Sequence, residues 1–147
     1  MFETRVAPCV VEAAPDRLGR AVNNLLDNAA KHSPPGGVVE VAVVGGEVTV
    51  RDHGTGVAAA DAPHVFDRFY RGAAARDRPG SGLGLAIVRQ VAEAHGGTVA
   101  VEDAPGGGAL FRLALPWRRV DEALDGPRGG PGAATVDATG VAARLNQ

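Results

Sequence analysis

The chain has 147 residues, of which 45% are hydrophobic and 22% are charged, a composition typical of one soluble globular domain with a single core. Its formal net charge of −2 gives no reason to expect nucleic acid or an anionic membrane surface as the main partner. The single cysteine excludes an internal disulfide framework, and the N-terminus lacks the basic and apolar blocks of a signal peptide.

The first third of the chain predicts short strands, a helix and a hairpin. Apolar residues up to Val11 suggest one or two short strands, after which Pro15 opens a helix with Asp16 as its N-cap. The helix should end near Ser33, because two prolines follow and forbid its continuation. Alternating valines and a Gly45–Gly46 pair then predict a β-hairpin.

The remaining elements complete a fold prediction. Residues 54–82 are rich in glycine, alanine, proline and charge, which indicates a functional lid or disorder. Residues 83–95 have a helical pattern that Gly96–Gly97 ends, and a second strand pair follows. Residues 120–147 predict a disordered tail. We therefore expect an α+β fold, a two-layer sandwich of a mixed β-sheet packed against about three α-helices.

The first helix carries a polar face beside its leucine stripe. Asn24, Asn28 and Lys31 lie at positions i, i+4 and i+7, and three of the four asparagines of the chain lie in this helix. A solvated helix face is the alternative, but such a face normally favours Glu, Lys or Arg over Asn. An amide oxygen one turn from a lysine suits a hydrated Mg²⁺ with phosphate alongside.

Two glycine-containing motifs follow. Asp52 ends a predicted strand and precedes Gly54 and Gly56, so it could accept a hydrogen bond from a flat ligand, although ordinary Asp-Gly turns are common. Further along, alternating glycines from Gly80 to Gly84 open the second long helix, where backbone N–H groups and the helix dipole favour phosphate. The second motif is neither a Walker loop nor a dinucleotide fingerprint.

The order and spacing of these motifs resemble the N, G1 and G2 boxes of the GHKL ATPase/kinase superfamily. Residues 65–72, Val-Phe-Asp-Arg-Phe-Tyr-Arg-Gly, are similar to the F box of bacterial sensor histidine kinases, and the helix 82–97 is also typical of that family. The resemblance covers roughly residues 4–117. It implies the Bergerat ATP-binding fold, with residues 1–119 as the catalytic domain. Such a domain binds Mg-ATP and donates the γ-phosphate to a histidine on a separate dimerisation domain.

The resemblance implies a role for each motif residue. Asn28 would ligate Mg²⁺, Asn24 and Lys31 would lie at the phosphates, and Asp52 would accept a hydrogen bond from the adenine amino group. The other residues implied at the nucleotide are His32, Gly54, Gly56, Val57, Phe66, Phe69, Gly80, Ser81, Gly82, Leu83, Gly84 and Leu85. In this set the two phenylalanines would anchor the lid, although they could also be simple core residues.

Other residues are implied in the transfer step. Arg68 or Arg71 would neutralise charge during transfer. Asn24 stands where ATP-hydrolysing relatives carry a glutamate base, and an amide cannot act as a base, so we expect no fast hydrolysis by water. Asp27 remains a candidate for polarising the incoming nucleophile.

Two other functions stay open at this point. An anti-sigma-factor serine kinase of the same superfamily is the first, but the F box argues against it. The second is a module that senses ATP without transferring phosphate, against which the intact motifs argue.

None of the four histidines has the context of a phosphoacceptor. We therefore expect an excised or split catalytic domain, a monomer that acts on the phosphoacceptor domain of its parent kinase and indirectly on a response regulator. We expect it in the cytoplasm without direct membrane contact, with the parent anchored in the membrane as in most of the family.

Overall fold

The structure, a computed structural model, describes residues 2–7, 11–67, 84–118 and 134–135. The elements follow one another largely in the predicted order. Their bounds are β1 (Phe2–Val6), β2 (Glu12–Ala13), α1 (Pro15–His32), β3 (Val39–Val44), β4 (Glu47–Arg51), α2 (Gly84–Ala94), β5 (Thr98–Asp103), β6 (Ala109–Ala114) and β7 (Ala134–Thr135). A 3-10 turn at Ala62–His64 lies between β4 and α2.

Five of the strands form one mixed sheet in the order β1-β3-β4-β6-β5. β1 lies parallel to β3, and each of the other neighbouring pairs is antiparallel. α1 and α2 pack against each other and against the sheet. The α+β sandwich is therefore confirmed, with two α-helices in the described part of the chain where about three were expected.

One face of the sheet and one stripe of each helix form the core. Every second strand residue points inward, and helix residues spaced by three and four share a face. The buried side chains of the sheet are Val39, Val41, Val43, Val48, Val50, Ala109, Phe111 and Leu113. The buried side chains of the helices are Leu18, Ala21, Val22, Leu25, Leu26, Ala29, Val88, Val91 and Ala92. The buried side chains of the sheet and of the two helices therefore form a single apolar layer.

The other face of the sheet carries ion pairs that alternate with the buried positions. Arg112 on β6 donates to Glu47 on β4 and, at 2.5 Å, to Glu102 on β5. These hydrogen bonds, that of Glu102 foremost, raise the pKa of Arg112 above its already high ordinary value. This face is therefore a half-exposed polar surface and not a second core. Its exposed ion pairs contribute little to the stability of the domain.

Glycines end two elements as the sequence predicts. Gly45 and Gly46 have φ angles of 59° and 70°, which suit the tight turn between β3 and β4. At the end of α2, the N–H of Gly97 donates to the carbonyl of Ala92 and the N–H of Gly96 donates to that of Glu93. This is a Schellman arrangement, which satisfies the last carbonyls of the helix.

The start of α1 differs from the prediction. Ala14, not Asp16, is the N-cap; its backbone is extended and its side chain makes no capping bond. Pro15 takes the first helical position, because its fixed φ suits that position and its missing N–H is not needed there. Asp16 falls instead in the first turn, where its charge favours the helix dipole.

The strand β7 is the described part of the region 120–147. Its two residues pair antiparallel with β2. Composition does not reveal a long-range pairing of this kind. The rest of that region lies outside the described residues, and there the expectation of a disordered tail stays a prediction.

His95 connects the end of α2 with the start of α1. Its Nδ1 lies 2.7 Å from the carbonyl oxygen of Val91, and the backbone N–H of Ala14 donates to its Nε2 at 3.1 Å. Because a carbonyl can only accept and an N–H can only donate, the network assigns the proton to Nδ1. The ring thus accepts the N–H of the N-cap residue itself, as a first-turn side chain does in a capping box.

Replacing His95 should therefore loosen the junction of the two helices. We expect His95→Ala to lower the free energy of unfolding by about 1–2 kcal/mol, since two partly buried hydrogen bonds are lost. Urea unfolding followed by circular dichroism measures this. His53→Ala, which removes only an exposed contact with Glu40, is the control and should cost less than about 0.5 kcal/mol. Equal losses in both variants would contradict the assignment.

Candidate functional site

Asp52 is the charged residue that the structure buries most completely among those it describes, with 1% of its surface exposed. It follows β4 directly, and its Oδ1 accepts the backbone N–H groups of Gly54 at 3.0 Å and Ala109 at 3.1 Å. A buried carboxylate is costly unless it is hydrogen-bonded, and bonds to a charged acceptor are the stronger kind. Within the described part of the chain, both side-chain bonds of Asp52 go to Oδ1.

The glycines of the G1 motif first satisfy contacts within the protein. A Cβ at Gly54 would lie 2.2 Å from the carbonyl oxygen of His32, at the end of α1. Gly56 has a φ of 78° and faces the carbonyl of Gly108. These glycines therefore let the loop after β4 pack against α1 and against the loop between β5 and β6.

The loop between β5 and β6 is a part of the site that the sequence analysis missed. A Cβ at Gly108 would lie 2.0 Å from the carbonyl oxygen of Asp52, and the next residue, Ala109, donates to the Asp52 side chain. The sequence predicts this segment only as a turn. The sequence signal for this part of the site was the run of three glycines at 106–108. In the structure all three have positive φ angles, a backbone conformation that favours glycine.

The polar face of α1 borders the first turn of α2. Asn24 and Asn28 are half-buried, whereas Asn23 beside them is exposed. The Nδ2 of Asn24 donates to the carbonyl of Gly84 at 3.2 Å, which links α1 to the first turn of α2. The Nδ2 of Asn28 is buried and has no hydrogen-bond partner among the described residues. Because buried polar atoms are normally paired, this amide fits a partner that arrives with a ligand.

Charged residues of α1 flank these asparagines. Lys31 and His32 form its last turn and are exposed, where positive charge also complements the helix dipole. Asp27 is exposed and adjacent to Asn28. Among the described residues no group of three or more His, Cys, Asp or Glu side chains could hold a metal ion.

The apolar residues predicted at the site that the structure describes pack on the core. Val57 and Leu85 are partly buried against it. Phe66 is 7% exposed, and its ring meets that of Phe111 edge to face, with centroids 6.2 Å apart. Phe66 thus fixes the described part of the predicted lid to the sheet.

Asp67 extends this attachment to α2. Its carboxylate bonds His64 at 3.0 Å and Arg89 of α2 at 3.3 Å. The hydrogen bond with His64 is the largest influence on the pKa of Asp67 and lowers it. Burial opposes this bond less strongly, and the charge of Arg89 lowers the pKa further, so the pKa of Asp67 lies below its ordinary value. The segment that precedes the undescribed residues is therefore tied both to the core and to the helix that follows.

Seven predicted site residues lie outside the described residues, and their roles stay predictions. They are Arg68, Phe69, Arg71, Gly80, Ser81, Gly82 and Leu83.

Comparison with known proteins agrees with this geometry. Residues 13–119 match the model of the family described as histidine kinase-, DNA gyrase B- and HSP90-like ATPase. The chain belongs to this family. In a solved structure of the mycobacterial sensor histidine kinase MprB, 46% of the aligned residues are identical and the TM-score is 0.74, over 81% of this chain and 84% of that one. The chain is therefore an ATP-binding domain of the sensor histidine kinase type.

Two further relatives support the same placement. The histidine-protein kinase/phosphatase MprB of Mycobacterium sp. strain KMS is 48% identical over an alignment 146 residues long, which covers 93% of this chain and 27% of that relative. The structure of full-length ShkA in complex with AMPPNP is 30% identical with a TM-score of 0.60, over 81% of this chain and 26% of that one. The domain thus spans about a quarter of the length of the curated relatives that it matches.

No helix among the described residues of this domain is long and apolar enough to cross a membrane.

The contacts of Asp67 generate a titration prediction. We expect its folded-state pKa to lie below the ordinary value of 3.8, so the contacts favour folding above that value and are lost as the pH falls through the folded-state pKa. His64→Ala should raise the pKa of Asp67 more than Arg89→Ala does, because the hydrogen bond from His64 is the larger cause. Carboxyl carbon shifts measured by NMR test this. An unchanged Asp67 pKa in both variants would show that the contacts do not exist in solution.

Proposed function

We propose that this domain binds Mg-ATP beside the C-terminal half of α1 and donates the γ-phosphate to a histidine on a separate dimerisation domain. The observation that carries the proposal is the burial of Asp52 at the end of β4, where α1 and two glycine loops converge. Phosphoryl transfer requires mainly positioning and charge stabilisation, and these elements can provide both.

Adenine recognition is assigned to Asp52. Its Oδ1 is already bonded to two backbone N–H groups, so Oδ2 is the oxygen that accepts the exocyclic amine. A hydrogen bond to a charged acceptor contributes about 1.5–3 kcal/mol. That corresponds to a preference for adenine over guanine of about tenfold to a hundredfold.

Phosphate and Mg²⁺ binding is assigned to the polar face of α1. The carboxamide of Asn28 is half-buried, and its Nδ2 has no partner among the described residues. Because the N and O of an amide are assigned from the bonding network, the amide can be turned so that its oxygen takes this position and ligates the ion. Mg²⁺ keeps most of its waters, so one amide ligand with substrate phosphates suffices. When bound, the ion neutralises charge on the phosphates. Asn24 and Lys31 lie on the same face and orient the phosphate chain.

The site lacks a general base for water, and this affects which group can accept the phosphate. Asn24 is an amide and cannot deprotonate water, so ATP persists until an acceptor arrives. Asp27 is exposed beside Asn28 and polarises the incoming histidine. Arg68 and Arg71 remain proposed to neutralise charge during transfer.

A histidine is the preferred acceptor over a serine because both MprB relatives are named as histidine kinases. The acceptor domain belongs to the parent kinase, and a response regulator receives the phosphate from that domain. Because the ATP pool and response regulators are cytoplasmic, we place the domain in the cytoplasm, attached to a membrane-anchored parent.

The magnesium role of Asn28 can be tested by calorimetric titration with a non-hydrolysable ATP analogue. We expect binding of the wild type in the micromolar range that weakens without Mg²⁺. Asn28→Ala should remove the magnesium dependence and weaken binding at least about tenfold, since the ion loses its protein ligand. Asn23→Ala, on the exposed side of the same helix, is the matched control.

The control should bind within about twofold of the wild type, because Asn23 does not face the site. No binding by the wild type would mean that the pocket is degenerate, and the domain would then be an interaction module with this fold. Equal binding by the wild type and Asn28→Ala would mean that a residue other than Asn28 ligates Mg²⁺.

Transfer itself can be tested by adding the dimerisation and phosphoacceptor domain of the parent kinase in trans. With γ-labelled ATP, we expect acid-labile, base-stable label on that domain and none on the catalytic domain alone. A parallel incubation with Asn28→Ala should show loss of the label. Analogue binding without any label on histidine would support the alternative of an ATP-sensing module.

A further inference from the structure

The side chain of Arg51 lies on the outer face of the sheet, directly before Asp52 in the chain. Its Nη2 donates to the carbonyl oxygens of Pro105 at 2.5 Å and Gly107 at 3.3 Å. Its Nε lies 3.5 Å from an Oε2 of Glu40 on β3, and 23% of the side chain is exposed. Arg51 therefore connects β3 and β4 with the loop between β5 and β6.

The same loop contacts Asp52 from the inner side. Directly after the loop, the N–H of Ala109, the first residue of β6, donates to the Oδ1 of Asp52, and the N–H of Asp52 donates to the carbonyl of Ala109. Gly108 lies so close to the carbonyl of Asp52 that no side chain fits between them. A displacement of this loop would therefore move a donor that orients the Asp52 carboxylate.

The loop has little intrinsic restraint of its own. Gly106, Gly107 and Gly108 have φ angles of 87°, 110° and 84°. Three consecutive glycines lose much conformational freedom when they are ordered, so contacts from elsewhere must hold them. The carbonyls that Arg51 binds belong to this stretch and to the proline before it.

We propose that Arg51 is a positioning residue for adenine recognition, which it supports by fixing the loop between β5 and β6. The guanidinium holds two loop carbonyls, and the loop in turn holds Asp52 through Ala109. This rests on the proposed function, because it assumes that Asp52 binds adenine. Arg51 itself lies on the outer face of the sheet, so it would act through the loop and not by contact with the nucleotide.

Glu40 sets the guanidinium in place and adds a second connection. Its Oε2 lies 3.5 Å from Arg51 and 3.1 Å from the Nε2 of His53, the residue after Asp52. Glu40 thus contacts both neighbours of Asp52 in the chain, Arg51 before it and His53 after it. A perturbation of Arg51 would reach Asp52 through the backbone of β4 and through the loop.

The chain offers a matched control on the same face. Arg112 on β6 also pairs across the sheet, but among the described residues its bonds go to the carboxylates of Glu47 and Glu102 and to no loop carbonyl. Arg51→Gln and Arg112→Gln both remove a cation from this face. Only the first removes a contact to the loop that holds Asp52.

The experiment has a readout that needs no nucleotide. Amide hydrogen exchange of the ligand-free domain should show Ala109 exchanging at least about fivefold faster in Arg51→Gln than in the wild type. In Arg112→Gln the Ala109 rate should be unchanged once both rates are corrected for any difference in global stability, which urea unfolding measures. An unchanged Ala109 rate in Arg51→Gln would overturn the proposal.

The second readout is base selectivity. The ratio of the Kd for Mg-GDP to the Kd for Mg-ADP should fall about threefold to tenfold in Arg51→Gln and stay within about twofold in Arg112→Gln. Mg-tripolyphosphate should bind both variants as it binds the wild type. Arg51→Lys, which keeps one charged donor, should recover part of the selectivity.

A reference variant separates failure of this inference from failure of the proposed function. Asp52→Asn should abolish the selectivity if Asp52 recognises adenine. Selectivity lost in Asp52→Asn but retained in Arg51→Gln would overturn the role of Arg51 alone. A wild type that binds ADP and GDP equally would overturn adenine recognition by Asp52, and the role of Arg51 with it.

Discussion

The structure of this domain depends on how one buried carboxylate is hydrogen-bonded. Asp52 leaves β4 inside the protein, where an unpaired charge would be costly, and two backbone N–H groups from different loops compensate for that burial. Both loops must approach within contact distance of other backbone, which Gly54 and Gly108 allow because they have no side chains. The glycines near the site are thus required first for folding and only then for a ligand.

The helix α1 serves the core and the site with different faces of the same turns. Its buried leucines fix its rotation against the sheet, and this rotation leaves Asn24 and Asn28 half-buried at the edge of the helix layer. Its C-terminal carbonyl at His32 packs on the loop after Asp52, and Asn24 reaches the start of α2. The position of the polar residues is therefore set by apolar packing.

Long-range polar contacts connect the site with the rest of the domain. On the helix side, Phe66 packs on Phe111 while Asp67 pairs with Arg89, so the segment before the undescribed residues is attached to both layers. On the outer face, Arg51 holds the loop that orients Asp52. The polar contacts among these are individually weak at the surface, but each restrains a segment that lacks regular structure.

The sequence by itself determined the periodic elements, the glycine-ended turns and the order of the motifs, because these depend on residues near one another in the chain. The Gly45–Gly46 hairpin and the end of α2 follow from local backbone preferences. Only the tertiary structure decided that Ala109 bonds Asp52 across 57 positions, that Asn24 bonds Gly84 across 60 and that the His95 ring accepts the N–H of Ala14 at the start of α1. Local propensity carries no information about partners so distant, since packing of the sheet and helices brings them together.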